Sequence, residues 1–293
     1  MQPQPMAAAI AHTQRNIKRI THMKAILKTH LWATAAASLV LTLLAACTQA
    51  GGSTANPGGS ADALTEVVTP KGTANQTVRH KAITIYFNSQ YRIPNCVAYE
   101  LTAAQVAQCD APGAEKRKNY DFAADPDVAS SPEKSDYTRS GYDRGHMAPA
   151  NDFKWDRTAM TECFYMTNMC PQAHELNNGA WKKVENLVHG WARQYGRVVV
   201  VTGPVMSRGM ERIGRRGDIA VPGRFFKVVL APEQGKAIAF VYDNAEARSG
   251  LRRHVTTVRQ VEQLTGLDFF SSLPDNEENK VETHTNASEW LND

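Results

Sequence analysis

The run GYDRGHMAPANDF places Asp143, Arg144, Gly145 and His146 side by side, after a polar stretch and next to a proline. An imidazole that titrates near pH 6.5 can serve as a neutral base at working pH. Alone the cluster is only suggestive, because most histidines are surface or satisfied core residues. A second run, NMCPQAHELNNGAWKKVE, puts Asn168 at a strand end, Asn177 at a helix start and Glu185 eight positions on. At 3.6 residues per turn, Asn177, Trp181 and Glu185 share nearly one face, drifting about 40° per step. Eight helical residues span about 12 Å, so Asn177 and Glu185 would not be adjacent ligands of one ion. Glu185 fits better as a carboxylate holding water around a metal or orienting another ligand. The plainer alternative makes Asn177 a helix cap and Glu185 a solvated residue.

The elements that must position these residues can be read from periodicity. KAITIYFNS and CVAYELT predict two early strands, and TAAQVAQ one or two helical turns. Residues 110–142 are polar and interrupted by Pro112, Pro126 and Pro132, which predicts a long surface excursion. Val184, Val188, Trp191 and Tyr195 form one apolar stripe, predicting a helix over 178–195 that Gly196 ends. RVVVVTGPV predicts a buried strand, RFFKVVLAPEQGKAIAFVYDN a hairpin split at Pro232 to Gly235, and 252–264 a further helix. The tail from Pro274 is polar and acidic and is expected to fray. No internal repeat is visible, so one α+β domain over 76–275 is the economical reading, with a polar tail at 276–293.

The chain has 293 residues, 42% of them hydrophobic, which excludes disorder throughout. Its net charge is +4, but residues 1–46 hold five basic residues and no acidic one. The remainder carries 28 basic against 29 acidic residues, so any polyanion site must be a local patch. MSRGMERIGRRGDIAVPGRFFK, with six basic and two acidic residues, is one candidate, and a solvated loop is the equal alternative. Leu31 to Ala46 is uncharged and follows the basic stretch, which is a secretory signal pattern; its sixteen residues are short for a membrane span. The ending Leu44-Ala45-Ala46-Cys47 resembles a bacterial lipoprotein processing box, with Cys47 lipidated and 47–75 a flexible tether. Met23 is an alternative start. Cys96, Cys109, Cys163 and Cys170 would then share a compartment that permits disulfides. If FYMTNM is extended, Cys163 and Cys170 lie roughly 23 Å apart and cannot bond, so Cys96 to Cys109 is the simplest bridge. Neither HExxH nor a Cys/His zinc spacing occurs.

Together the DRGH core with Ala148 and Pro149, FYMTNMCPQ, and LNNGAW followed by Glu185 resemble the DNA/RNA non-specific endonuclease family, which includes endonuclease G. Weaker similarity runs from about Ile83 to Phe270. The resemblance implies a ββα-metal (His-Me finger) core with a mixed or antiparallel central sheet flanked by helices. It implies that His146 is the general base deprotonating the attacking water, a role typically worth 10² to 10⁴ in rate. It makes Asn177 the one direct protein ligand to Mg²⁺, with Mn²⁺ as a substitute, and hard oxygen donors suit that ion. Arg144 would hold phosphate through its planar fork. Arg117, in EKRKNYDFAADP, is the candidate for the family's upstream arginine. Asp143 would fix the local turn or Arg144, and Asn168 would support the metal surroundings or phosphate. One departure stands out, because the arginine often found a turn beyond the glutamate is His189 here, with Arg193 a turn later.

The expected activity is Mg²⁺-dependent cleavage of internal phosphodiester bonds in DNA and RNA, with little sequence preference, leaving 5′ phosphates. No helix-turn-helix, zinc finger or RNP pattern argues for base reading. The expected berth is outside the cytoplasm, anchored through Cys47 on the periplasmic side, at the outer membrane where the cell has one, with plain secretion as the alternative. Homodimerisation is among the expected interactions. Two rival readings are a non-catalytic DNA-uptake lipoprotein and a metal phosphoesterase acting on small or lipid phosphodiesters.

Overall fold

The computed structural model describes residues 61–245 and 250–291, so the leader, Cys47 and most of the tether lie outside the described residues. Among the described residues no helix is long and apolar enough to cross a membrane. Seven strands form one antiparallel sheet: β1 (Gln76–Arg79), β2 (Thr84–Asn88), β3 (Ile93–Thr102), β6 (Arg197–Pro204), β7 (Arg224–Ala231), β8 (Lys236–Asp243) and β9 (Val255–Thr256). Their spatial order is β9-β8-β7-β6-β3-β2-β1. The continuous apolar runs arise because both faces are covered. Along β6, Val198 and Val200 enter one hydrophobic cluster, while Val199 and Val201 enter the other. On β7, Phe225 and Val229 alternate with Phe226 and Val228 in the same way.

The first face carries the chemistry. Helix α1 (Ala103–Cys109) starts at Thr102, whose hydroxyl accepts from the Gln105 N–H in a capping box. The excursion then crosses the surface with only short 3₁₀ turns, including Arg117–Asn119 and Lys134–Tyr137, before β4 (Asp143–His146). After α2 (Arg157–Cys163), β5 (Met169–Gln172) pairs antiparallel with β4, and the chain enters α3 (Lys182–Tyr195). Val184, Val188 and Trp191 bury against the sheet, as the stripe predicts. The second face is covered by α4 (Val258–Thr265) and α5 (Asp275–Thr283).

Several expectations are corrected. Residues 252–264 are not one helix: Leu251–His254 is a 3₁₀ turn, Val255–Thr256 joins the sheet edge, and α4 begins only after Thr257 caps it. The tail does not fray, because Trp290 at the end of α6 (Ala287–Trp290) packs edge-on to Trp191 at 4.8 Å and Tyr195 at 5.3 Å. The Trp191 indole N–H also donates to the Trp290 carbonyl at 2.9 Å. Cys96 and Cys109 are not bridged; Cys96 faces the second cluster while α1 packs on the first, so the sheet separates them. Cys163 and Cys170 are also free, but FYMTNM is not extended, since Met166–Asn168 forms a 3₁₀ turn.

Candidate active site

The site is built on the β4–β5 hairpin, where Arg144 faces Pro171, Gly145 faces Cys170 and His146 faces Met169. Gly145 admits no side chain, because a Cβ there would lie 2.6 Å from the Gln172 Cβ. Asn168 fixes the strand beyond His146. Its Oδ1 accepts from the Ala148 N–H at 3.0 Å, and its Nδ2 donates to the carbonyls of Ala148 and Cys163 at 2.9 and 2.8 Å. Buried and fully engaged, Asn168 cannot reach an ion or a phosphate, so its expected supporting role becomes that of a strut for the backbone next to His146.

His146 is half-buried between two rings, tilted to Phe122 at 5.4 Å and edge-on to Phe164 at 5.0 Å. Its Nε2 is buried without a hydrogen-bond partner, which leaves Nδ1 as the nitrogen with access to solvent. Burial, reinforced by the Arg117 guanidinium, holds the imidazole well below its ordinary range, to about 3. The ring is therefore neutral at physiological pH.

Both candidate arginines lie on those same rings. Arg117 sits 5.2 Å from the Phe164 centroid, and Arg144 lies 5.4 Å from Phe122 and 5.9 Å from Tyr137. Arg144 donates from Nε and Nη2 to the Lys134 carbonyl at 3.3 and 2.8 Å, leaving Nη1 without a protein partner among the described residues. Neither arginine has a carboxylate partner among the described residues. The aromatic rings thus aim positive charge at the base without neutralising it.

Asn177 departs from the expected regular helix. The chain turns helical at His174–Leu176, then Asn177–Trp181 forms a π segment in which Gly179 has non-helical φ −106° and ψ −108°. The even drift of Asn177, Trp181 and Glu185 along one face is therefore broken. Asn177 is not a side-chain cap: its Nδ2 donates to Asp143 Oδ2 at 2.9 Å, and His174 Nδ1 meets the same oxygen at 2.9 Å. Asp143 thus positions Asn177 and His174, not Arg144. With Nδ2 occupied, the Asn177 Oδ1 has no protein hydrogen bond among the described residues and is a free hard-oxygen donor, which fits Mg²⁺ or Mn²⁺.

Glu185 is half-buried beside Trp181, whose indole N–H also reaches the His146 carbonyl at 3.4 Å. Burial pushes the Glu185 carboxyl up, while the Lys227 ammonium draws it back. Lys227, which the sequence placed in a basic patch, is instead fully buried on β7. Burial pushes it down, and Glu185 and Asp152 oppose that. The rest of the patch is largely committed: Arg212 donates to the Asp218 carbonyl at 3.1 Å, Arg215 pairs with Glu133 at 3.1 Å and Arg216 with Asp218 at 3.2 Å. His189 does not replace the absent arginine, because its Nδ1 is held by Asp152 at 3.0 Å and its Nε2 lies 3.5 Å from Asp110. Arg193 also pairs with Asp110. Phe122, Phe164 and Asp152 escaped the sequence reading, and Lys227 was placed on the surface instead of in the core. A lone lysine inside the apolar run RFFKVVL was the one available signal.

Residues 60–276 match the DNA/RNA non-specific endonuclease family. Among related proteins, Nuclease 1, mitochondrial, of Schizosaccharomyces pombe is 31% identical over 226 residues, 70% of this chain and 69% of its own. Nuclease C1 of Cunninghamella echinulata var. echinulata is 31% identical, covering 69% of this chain and 85% of its own. Endonuclease G, mitochondrial, of Homo sapiens is 32% identical over 54% of this chain and 58% of its own. A crystal structure of the EndoG/EndoGI complex, described as a mechanism of EndoG inhibition, superposes with a TM-score of 0.62 at 28% identity, covering 69% of this chain and 89% of that one.

Proposed function

The chain belongs to the DNA/RNA non-specific endonuclease family, and from that premise we propose that it hydrolyses internal phosphodiester bonds of DNA and RNA in a Mg²⁺-dependent reaction, leaving 5′-phosphate ends. The reading is supported above all by one arrangement: a neutral, ring-flanked imidazole and a carboxamide steadied by Asp143 both belong to the β4–β5 hairpin and its following helix. Three residues along β4, about 10 Å of extended backbone, separate the Asp143 anchor from His146.

In this mechanism His146 accepts a proton from the attacking water at Nδ1, with Nε2 protonated. Arg117 and the free Nη1 of Arg144 bind the phosphate oxygens and stabilise the charge that accumulates as the nucleophile adds. Asn177 would hold the divalent ion through Oδ1, and Glu185 would orient water around it. When bound, Mg²⁺, or Mn²⁺ in its place, supplies Lewis-acid stabilisation of the phosphate and of the departing 3′ oxygen. Phosphate contacts without base-reading elements give sequence-tolerant cleavage.

Supercoiled plasmid and a structured RNA, each incubated with protein and Mg²⁺, test the reading. Nicking and fragmentation that EDTA abolishes are expected. Retention of nucleic acid without cleavage would favour a binding protein, and turnover of small diesters alone a different phosphoesterase. The leader motivates a second part of the proposal, a lipid anchor on Cys47 outside the cytoplasm. Metabolic labelling with a palmitate analogue, lost in Cys47→Ser, tests it.

A further inference from the structure

We propose that Lys227 is a positioning residue for the base: its ammonium grips the Met147 carbonyl next to His146, under the Trp181 ring. The inference rests on the nuclease reading above. Lys227 Nζ donates to Met147 O at 3.3 Å and to Thr202 Oγ1 at 3.2 Å, and lies 4.6 Å from the Trp181 centroid. Trp181 in turn holds the His146 carbonyl, so two successive carbonyls, those of residues 146 and 147, are tied to one buried cation and the ring above it.

The energetics argue against a purely structural lysine. Its neighbours on that face of β7, Phe225 and Val229, are apolar core residues. An apolar side chain at 227 would complete the layer, whereas an ammonium must be desolvated there, so packing alone does not account for the charge. The charge kept here is directed at the Met147 carbonyl and the Thr202 hydroxyl. Lys227 therefore fixes the strand that carries the base.

Lys227→Met tests this. Measured on the folded fraction, its kcat on plasmid should fall about tenfold or more with KM little changed. In metal-free protein the His146 Cε1–H resonance should move while those of His80 and His174 stay. Thr202→Val, which removes one acceptor and keeps the charge, should move the His146 resonance in the same direction and lower kcat less. Unchanged kcat and an unmoved His146 signal in either variant would overturn the proposal. Failure of wild type to cut nucleic acid would instead overturn the nuclease reading, and the resonance measurements would still test the positioning.

Discussion

Asn177 is tethered to Asp143 across the hairpin–helix junction, with Nδ2 donating to Oδ2 at 2.9 Å. A carboxamide can present oxygen or nitrogen to a ligand, and this hydrogen bond decides which. Because Asp143 accepts from the amide nitrogen, oxygen is the atom that remains for a cation. The acidic residue of the DRGH run therefore acts through Asn177.

Asp143→Ala is expected to lower nicking about 10- to 100-fold and to raise the Mg²⁺ concentration needed for half-maximal rate, the usual consequence of freeing a ligand's support. A Mg²⁺ titration of plasmid nicking measures both. A rate loss with no change in Mg²⁺ requirement would break the link to Asn177.

His146 should remain neutral far into acid. Its folded-state value is held below the unfolded one by burial and Arg117, so the unfolded chain binds more protons as pH falls below about 6.5. The stabilising contribution is full above that pH and is lost progressively toward acid. The Cε1–H shift of His146 should show no titration between pH 5 and 8 (roughly, the span over which a free imidazole changes charge), and Arg117→Ala should move its midpoint upward. A midpoint near the ordinary value would contradict the buried setting.

A second pair, away from the proposed chemistry, has the opposite signature. Burial alone would lower His80, but its hydrogen bond to Asp125 at 2.9 Å leaves it raised; burial alone would raise Asp125, but His80 and Thr167 hold it lowered. Asp125 contributes stability above its unfolded value and loses it as pH falls. His80 contributes below its unfolded value and loses it as pH rises through the raised one. Asp125→Asn should therefore depress the thermal midpoint most between about pH 4 and 6.5. A difference independent of pH would contradict an ion pair.

Trp290→Ala should destabilise the fold by about 3 to 5 kcal/mol, as for other buried aromatic deletions. Chemical denaturation measures this, and nicking by the folded fraction should be unchanged. A loss below about 1 kcal/mol would mean that the tail contributes little to the core.

How far the sequence discloses this molecule depends on whether a residue's role is local. Strands such as β6 and β7 were legible because alternate residues meet two cores, giving unbroken apolar runs. His146 and Asn177 were singled out by their motifs, and the structure sets them on the β4–β5 hairpin and the helical segment after it. The π segment was not, because Gly179 changes the helical phase without changing the apolar stripe. Nor was the destination of Lys227, since a basic residue in a basic run reads as surface until β7 is known to be covered on both faces. The C-terminal tail misled for the reverse reason: Trp290 is one apolar residue in a polar stretch, and its partners Trp191 and Tyr195 lie about a hundred positions earlier.

Single-turnover cleavage of an end-labelled duplex in Mg²⁺, comparing wild type with His146→Ala and Asn177→Ala, tests the central claim most directly. Both variants should fold like wild type, and each should lose at least about a hundredfold in the cleavage step. Cleavage by His146→Ala within a few-fold of wild type would contradict the account.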